Sequence, residues 1–374
     1  MKLSCLQKNL NSGLQTVERA IAKNSTLPIL DNILLETDRG RLKCSATNLE
    51  LAVIARVGSK IVKPGRITVP SRIISSLVGS LPNKKIDLEV KGNSLFVSSE
   101  GGKSKIKGLP AKDFPLIPTI KEKATMSIGA PVLKRALSQV VSSASVSESR
   151  PELSGVFWKV NGQDLRLVAT DSYRLAEKKI FLREKQKEFS FILPLKTSNE
   201  LVRLLTEREG EVSLSVDDNQ AKFSFFGVEI ISRLLDGSFP DYERIIPGSF
   251  KTEAVLNVSS FASNVKLASL FSGRVDEISL KFAKSSRSKF LEVKAASGEI
   301  GSQESKLAVN IKKGGSGNIS LNHRYLLEGL SNILTDEVMF LMNDGGTPVM
   351  FRPYSEARRP KDKDFLYLIM PIRR

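Results

Sequence analysis

The 374-residue sequence predicts an α+β protein built from three similar domains, and three observations support this prediction. First, one order of motifs occurs twice at an offset of 123 to 125 residues, and a fainter third copy follows. Second, helical and strand-like hydrophobic periodicities alternate in the same order within each copy. Third, the chain is about three offsets long, so three copies fill it and leave no room for a further domain.

The repeats are recognised by positions that they share. The segment from Leu27 to Val53 aligns with the segment that starts at Arg150, and FLEVKAASGEI and ISLNHRYLLEGLSNIL belong to the third copy. The matched positions are Pro28 with Pro151, Ala46-Thr47-Asn48 with Ala169-Thr170-Asp171, Pro70 with Pro194, and Phe114-Pro115 with Phe239-Pro240. Pro-rich stretches near residues 122 and 248 resemble linkers, which predicts domains 1–122, 123–248 and 249–374.

Each copy is predicted to contain a helix, strands, a second helix and further strands. An amphipathic helix from Leu3 opens the first copy, because its apolar residues recur every three or four positions. The following strands turn at Asp38-Arg39-Gly40, and the strands that end the copy turn at Gly92-Asn93. The second helix of each copy follows a Pro or an Asn.

The composition excludes several classes of function. The chain has one histidine and two cysteines, Cys5 and Cys44, so a disulfide framework, a Cys-rich zinc site and a His-rich metal centre are excluded. His323 lies at a predicted helix start, which favours a surface or capping role over catalysis. No apolar run is long enough for a membrane span, and the start MKLSCLQKNLNSG lacks the hydrophobic stretch of a signal peptide. We therefore expect a cytoplasmic protein without a cofactor or a membrane partner.

Positive charge indicates a polyanionic partner. The net charge of the whole chain is +17, and it divides into +10, +1 and +6 over the three predicted domains. Each of the six predicted helices has at least one basic residue on a face otherwise rich in Ser, Asn, Gln and Ala. Such a surface attracts phosphates without reading bases. The helix residues concerned are Lys23, Arg72, Lys134, Arg135, Lys196, Arg203, Lys266 and Arg324.

No motif for base reading or catalysis competes with this interpretation. Helix-turn-helix, zinc-finger and RNP signatures are absent. Residues 101–104, GGKS, lack the first glycine of a Walker A loop, and Asp217-Asp218 is predicted to form a hairpin turn. Two alternatives remain open at this point: an enzyme that acts on nucleic acid through carboxylate-bound Mg²⁺, and a basic scaffold that binds DNA without encircling it.

Six segments together resemble the bacterial DNA polymerase III beta subunit, the family of replication sliding clamps, over essentially the whole chain. They are TLPILDNILLE, GLPAKDFP, RPELSGVFW, LVATDSYRLA, FPDYERIIP and YLIMPIRR, which begin at Thr26, Gly108, Arg150, Leu167, Phe239 and Tyr367. The resemblance implies a head-to-tail homodimeric ring, with helices lining a central channel around duplex DNA and antiparallel sheets outside. It also implies a non-catalytic processivity factor whose partners include the DNA polymerase III alpha subunit, the clamp loader, repair polymerases and other proteins with clamp-binding motifs.

The resemblance also assigns residues to sites. It implies a peptide-binding pocket formed by Leu153, Thr170, Ser172, Tyr173, Arg174, Leu175, Pro240, Arg244, Ile245, Asn322, Tyr325, Val349, Met370, Pro371, Ile372 and Arg373. Lys196 falls at a DNA-facing basic position, with Arg72 and Lys23 as neighbours. The implied dimer interface pairs the basic strand that holds Lys103, Lys105 and Ile106 with the region of Glu299 and Glu304 in a second copy.

The sequence departs from the family pattern at several positions. Ser172-Tyr173 replaces a usual Gly-His pair, which affects the pocket's preferred peptide, and Pro151-Glu152 replaces an aromatic pair that contacts DNA. The chain ends in Arg373-Arg374 rather than in Arg and an apolar residue. Its charge of +17 also differs from the acidic character common in the family. A more basic chain attracts DNA more strongly and more salt-sensitively.

Overall fold

The structure, a computed structural model, describes residues 1–21, 27–120, 123–147, 149–206, 209–284, 289–343, 345–356 and 364–372. The chain forms two compact units: Met1–Pro131 with Arg203–Leu234, called unit 1, and Val132–Val202 with Leu235–Arg374, called unit 2. These units are defined by compactness and not by sequence repetition, so they do not test the predicted boundaries at residues 122 and 248. The division into three domains stays a prediction.

All six predicted helices are present among the described residues. They are α1 Gln7–Glu18, α2 Ser71–Ser80, α3 Ala130–Val140, α4 Leu195–Leu204, α5 Val258–Ser269 and α6 His323–Ser331. Asn257 and Asn322 cap α5 and α6, because each side-chain oxygen accepts hydrogen bonds from backbone N–H groups of the first turn. The Asn322 cap of α6 agrees with the prediction that the second helix of a copy follows a Pro or an Asn, whereas the Asn257 cap of α5 was not predicted.

The described residues also form 23 strands, which pair antiparallel throughout. In chain order the strands are β1 Lys2–Leu6, β2 Asn32–Asp38, β3 Arg41–Thr47, β4 Leu51–Lys63, β5 Arg66–Pro70, β6 Lys85–Lys91, β7 Ser94–Ser99, β8 Gly102–Lys107, β9 Ala124–Gly129, β10 Gly155–Thr170, β11 Arg174–Pro194, β12 Glu211–Val216, β13 Gln220–Phe225, β14 Val228–Arg233, β15 Thr252–Asn257, β16 Glu277–Lys284, β17 Lys289–Ser297, β18 Gly301–Ala308, β19 Asn310–Lys313, β20 Gly317–Asn322, β21 Glu337–Met342, β22 Val349–Tyr354 and β23 Phe365–Ile369.

The prediction that the first helix begins at Leu3 is wrong, because residues 2–6 form β1. Leu3 and Cys5 are buried whereas Lys2 and Leu6 are exposed, so burial alternates with the two-residue period of a strand. β1 pairs with both β4 and β6, and the helix starts only at Gln7. A strand therefore precedes the first helix of each repeat, namely β1, β9 and β15.

Unit 1 is organised around the 13-residue strand β4. Its main sheet runs in the order β8-β7-β6-β1-β4-β14-β13-β12-β9, and β2, β3 and β5 branch from β4 through β3. Helix α1 packs on β4 so closely that a Cβ atom on Gly13 would lie 2.5 Å from the Val57 side chain. Glycine is therefore required there by the close approach of helix and sheet.

Unit 2 contains a seven-stranded sheet in the order β10-β11-β23-β22-β21-β15-β19 and a four-stranded sheet in the order β18-β17-β16-β20. One core cluster centres on Val168, Leu175, Tyr242, Met350 and Leu368. A group of aromatic rings meets at Phe340, which contacts Phe261, Phe282 and Phe351 edge-on at centroid distances of 4.9 to 6.4 Å. The core cluster holds the hairpin of β10 and β11 in place.

The predicted turns are confirmed. Arg39 and Gly40 join β2 to β3 with φ angles of 45° and 76°, a left-handed geometry suited to a two-residue hairpin turn. Gly92-Asn93 joins β6 to β7, and Asp217-Asp218 lies in the turn between β12 and β13. Residues 102–104 of the GGKS segment lie within β8 and not before a helix, so the segment lacks the context of a phosphate-binding loop. Within the described residues, no helix is long and apolar enough to cross a membrane.

Candidate functional site

One candidate site is an open cavity of about 970 Å³ in unit 2. Its walls come from the strap of residues 141–147 and 149–150 that follows α3, from the turn between β10 and β11, and from α4 and α6. The lining combines apolar side chains with serines and charged groups. The lining residues are Val141, Ser142, Ala144, Ser145, Val146, Ser147, Ser149, Arg150, Leu153, Asp171, Ser172, Tyr173, Arg174, Leu195, Asn199 and Tyr325.

Arg174 connects three walls of this cavity. Its Nε donates to Asp171 Oδ2 at 2.9 Å, its Nη1 donates to Glu328, and its Nη2 donates to the Ser142 carbonyl at 2.6 Å. Its guanidinium also lies 4.6 Å from the ring centroid of Tyr325, a cation–π contact. The Arg174 side chain is only 11 % exposed. Through these contacts it joins the strap, the turn and α6.

The turn at residues 170–174 is fixed by its own side chains. Asp171 Oδ1 accepts hydrogen bonds from the backbone N–H groups of Tyr173 at 2.9 Å and Arg174 at 3.0 Å. Thr170 Oγ1 donates to the Arg174 carbonyl at 2.6 Å and accepts from the Ser172 N–H at 3.2 Å. Ser172 has a φ angle of 78°, in the left-handed region where glycine is favoured. The turn therefore presents Tyr173, which is 63 % exposed, to the cavity mouth.

Five residues of the predicted pocket line this cavity, and others contact the lining. The five are Leu153, Ser172, Tyr173, Arg174 and Tyr325. Thr170 supports the turn, the Met370 N–H donates to the Tyr173 carbonyl at 2.8 Å, and Asn322 caps the helix that holds Tyr325.

The remaining residues of the predicted pocket do not line the cavity. Leu175 and Val349 are core residues, at 1 % and 0 % exposure. Pro240 lines a second cavity of about 200 Å³, whereas Arg244 and Ile245 are exposed on the same loop. Pro371 is buried, the Ile372 N–H donates to the Ser320 carbonyl at 2.9 Å, and Arg373 lies outside the described residues.

The loop at residues 239–245 is anchored to the sheet by aromatic and charged contacts. Phe239 stacks on Phe157 with ring centroids 4.6 Å apart. Tyr242 Oη donates to the buried Glu177 carboxylate at 2.6 Å, and burial, reinforced by Glu177, raises the pKa of Tyr242. Glu243 accepts from Lys159 and Arg166, both at 3.0 Å, and its pKa is lowered chiefly by the Lys159 hydrogen bond. Phe239, Tyr242 and Glu243 thereby hold the loop against β10 and β11.

Several cavity residues were missed by the sequence interpretation. The strap supplies much of the wall, but its residues 141–146 were interpreted as part of the same helix as α3. The helix ends at Val140, and a short 3₁₀ turn follows. Leu195 and Asn199 lie on α4, whose sequence indicated only a basic face.

Most of the basic residues predicted for DNA binding are exposed on helices. Arg72, Arg135, Lys196, Arg203, Lys266 and Arg324 are exposed, and Lys134 is partly exposed. Arg324 Nε pairs with Asp276 Oδ2 at 2.9 Å. Lys23 lies outside the described residues. Within the part of the chain that the structure describes, no ion pair holds Arg72, Lys134, Arg135, Lys196 or Lys266.

The residues predicted for the dimer interface lie on two sheet edges. β8 is the outer strand of the unit 1 sheet, with Lys103 and Lys105 exposed and Ile106 only 6 % exposed. β18 is an outer strand of the four-stranded sheet in unit 2, and it includes Glu304; the exposed Glu299 lies in the preceding turn. Exposed apolar residues accompany β18: Leu270, Val275 and Ile300 are 66 %, 63 % and 58 % exposed.

Family models of the DNA polymerase III beta subunit match the chain in three consecutive parts. The N-terminal domain matches residues 1–118, the central domain residues 127–241 and the C-terminal domain residues 243–373. Among curated proteins, the beta sliding clamp of Pseudomonas aeruginosa is 30 % identical over 100 % of both chains, and that of Synechocystis is 28 % identical over 100 % of this chain and 99 % of its own.

Solved structures agree with these matches. The DnaN sliding clamp of Pseudomonas aeruginosa bound to griselimycin superposes with a TM-score of 0.93 at 29 % identity, with 100 % of both chains covered. The DNA polymerase sliding clamp of Bacillus subtilis gives a TM-score of 0.93 at 28 % identity, covering 100 % of this chain and 99 % of the other. The similarity therefore extends over the whole chain and both units.

Proposed function

Because the chain belongs to the DNA polymerase III beta subunit family, it is a DNA sliding clamp and a non-catalytic accessory subunit, and we propose how its residues perform this role. The observation that supports the role most strongly is the match to all three domains of the family in order along the chain. Three features perform the role: a DNA-facing surface, a dimer interface and a peptide-binding cavity.

The DNA-facing surface is formed by the basic residues of the helices. Several of these cations have no ion-pair partner among the described residues, so each can contact one phosphate after another as the DNA moves. They are Lys134, Arg135, Lys196 and Lys266. Contacts of this kind are independent of sequence and individually weak, which permits sliding. Six helices per chain would give twelve in a dimer, enough to surround a duplex on all sides.

The dimer interface joins β8 of one copy to β18 of another, head to tail. Both strands are sheet edges, where backbone N–H and C=O groups remain available for pairing. Lys103 and Lys105 on one edge complement Glu299 and Glu304 on the other, and Leu270, Val275 and Ile300 supply apolar area. Two such contacts close a ring, and a closed ring is held on DNA by topology rather than by affinity.

The 970 Å³ cavity is proposed to bind a linear peptide from the DNA polymerase III alpha subunit, the clamp loader or a repair polymerase. Apolar walls with a few fixed polar groups suit an extended segment with apolar anchors. Once the ring surrounds DNA, a polymerase bound at this cavity has a high effective concentration at the primer end. Processivity then rises without any chemistry in the clamp.

Primer extension tests the role directly. On a primed circular single-stranded template with polymerase III and clamp loader, the protein should lengthen the product of one binding event by roughly 100-fold. Product lengths that are equal with and without the protein would contradict the proposed function.

A charge exchange tests the interface. Lys105→Glu should shift the light-scattering mass from twice the 41.2 kDa chain mass towards one chain, because like charges would then face each other. Adding Glu304→Lys to the same chain restores opposite charges across the interface and should restore the dimer. A single variant that stays dimeric, or a double variant that stays monomeric, would count against this interface.

A further inference from the structure

The smaller cavity beside the loop at residues 239–245 is distinct from the 970 Å³ cavity. Its volume is about 200 Å³, and the two cavities share no lining residue. Pockets for small molecules usually have volumes of roughly 300 to 1,000 Å³. A cavity of this size therefore suits a single side chain better than a whole small molecule.

Aromatic rings form much of the wall of this cavity. Phe157, Phe189 and Phe239 line it, and each is half-buried. Phe157 and Phe239 stack with their centroids 4.6 Å apart and their planes 2° apart, and Tyr242 meets Phe239 edge-on at 6.2 Å. These contacts hold the rings in place before a ligand arrives. Because the face of an aromatic ring is electronegative, such a wall attracts cations.

A bulge in β11 brings a carboxylate to the same cavity. The pairing of Val160 with Phe189 is followed by a register shift that gives β11 one extra residue. In a regular strand, successive side chains point to opposite faces, and a bulge disturbs this alternation. The shift thus accounts for three consecutive residues, Glu188, Phe189 and Ser190, lining one cavity.

The charges around the cavity are mainly negative, in contrast to the chain as a whole. The charged lining residues are Glu188, Asp241, Glu243 and Lys159. Lys159 Nζ donates to Glu243 Oε1 at 3.0 Å, so these two charges compensate each other. Among the described residues, Glu188 has no ion pair, and Asp241 pairs with Arg244, whose side chain is 84 % exposed. An exposed pair of this kind contributes little, so both carboxylates remain available to a ligand.

This combination of rings and carboxylates favours the guanidinium group of arginine. A guanidinium is planar, so it stacks on aromatic rings and forms paired hydrogen bonds with a carboxylate. It is also more weakly hydrated than the ammonium group of lysine, which makes entry into an aromatic cavity less costly. A chain with a net charge of +17 repels a strongly basic segment, so the arginine should be flanked by neutral or acidic residues.

We infer that the 200 Å³ cavity binds an arginine side chain of a protein partner, supplied by a segment that is not basic overall. Phe157, Phe189 and Phe239 contact the side chain and its guanidinium plane, and Glu188 and Asp241 pair with its charge. One side chain binds weakly by itself, so this site acts on a partner that another contact already holds on the clamp. The inference goes beyond the proposed function, because it adds a second attachment point that is separate from the 970 Å³ cavity.

The test uses the full-length protein and three capped peptides, acetyl-Gly-Arg-Gly-amide and its citrulline and lysine counterparts. Citrulline has nearly the shape of arginine but no charge. Titrations followed by saturation-transfer difference NMR give the three Kd values. The arginine peptide should bind with a Kd of about 1 mM, the lysine peptide about threefold more weakly and the citrulline peptide about tenfold more weakly. The preference should decrease as NaCl is raised, because salt screens exposed charges.

Variants locate the binding site. Glu188→Gln should reduce the preference for arginine over citrulline by about threefold, and the addition of Asp241→Asn should remove it. Glu184→Gln is the matched control: it makes the same charge change at an exposed position of β11 that does not line the cavity, and it should retain the preference. Phe157→Leu keeps an apolar wall but removes one ring, and it should weaken binding of the arginine peptide by about threefold.

Three results would overturn the inference. They are equal Kd values for the arginine and citrulline peptides, equal Kd values for the arginine and lysine peptides, and a preference for arginine that persists in the double variant of Glu188 and Asp241. Each of them would leave the proposed function intact, because the residues tested do not line the 970 Å³ cavity and are not among the predicted DNA-binding or dimer-interface residues.

Discussion

The buried cation in the cavity wall and the exposed cations on the helices have opposite roles. Arg174 is 11 % exposed and is held by Asp171, Glu328, the Ser142 carbonyl and the Tyr325 ring. No ion pair among the described residues holds Lys134, Lys196 or Lys266. A fixed guanidinium builds a shape that selects one ligand, whereas an untethered cation attracts any phosphate. A sliding clamp must select its protein partners, whereas its contacts with DNA must be independent of the DNA sequence.

Replacing the fixed cation should have the largest effect. Arg174→Met leaves Asp171 and Glu328 without their partner and should lower the free energy of unfolding by roughly 2 kcal/mol, less than for a fully buried pair because Glu328 is 37 % exposed. Peptide affinity should fall by more than about tenfold, since the three cavity walls lose the side chain that joins them. Urea denaturation and fluorescence anisotropy measure the two effects.

Arg174→Lys serves as the matched control. It retains the charge but cannot reproduce the planar set of donors, so both quantities should fall between wild type and Arg174→Met. A methionine variant with unchanged stability and peptide affinity would show that the cavity does not depend on this side chain.

Removing helix cations that have no ion pair among the described residues should weaken DNA binding without changing stability. The combined variant Arg72→Gln, Lys134→Gln, Lys196→Gln and Lys266→Gln should reduce the slope of log K against log[salt] by about 0.9 for each phosphate that a chain no longer neutralises. Its unfolding free energy should change little, because no ion pair among the described residues is broken. Titration of labelled duplex DNA at several salt concentrations provides the slopes, and an unchanged slope would argue against a DNA-facing role.

Arg324 should give a smaller effect than Lys196. Asp276 already pairs with Arg324 at 2.9 Å, so Arg324→Gln removes less attraction for phosphate than Lys196→Gln does. The same salt titrations compare the two single variants. If Arg324→Gln reduced the slope as much as Lys196→Gln, pairing within the protein would not determine which cations serve DNA.

The smallest expected effect is a pH dependence at the start of α6. Burial lowers the pKa of His323 below 6.5, and this outweighs the neighbouring Asp276 carboxylate, which raises it. The contribution of His323 to stability is therefore fully present above about pH 6.5 and is lost as the pH falls from there through the folded-state pKa. Denaturation at pH 8 and pH 5 should show a smaller difference in His323→Gln than in wild type. An equal difference would mean that His323 is not the titrating group.

The sequence identified the elements that depend on local pattern. The Asp38–Gly40 turn, the Asn322 cap of α6 and the six basic helices follow from neighbouring residues, so they could be predicted. The family resemblance pointed to Arg174 and Tyr325 as members of one site, but the contacts of Arg174 with Glu328, 154 positions away, depend on tertiary structure. The strap was missed because its residues 141–146 were interpreted as a continuation of the helix before it, whereas α3 ends at Val140.

Retention on DNA of different topology tests the central claim, that this chain encircles duplex DNA as a closed ring. The protein is loaded onto a singly nicked circular plasmid with a bacterial clamp loader, and the complex is separated from free protein by gel filtration at high salt. We expect the protein to stay with the circular plasmid and to be released once a restriction enzyme linearises it, since a ring can then slide off the ends. Equal retention on circular and linear DNA would contradict encirclement and leave only binding through charge.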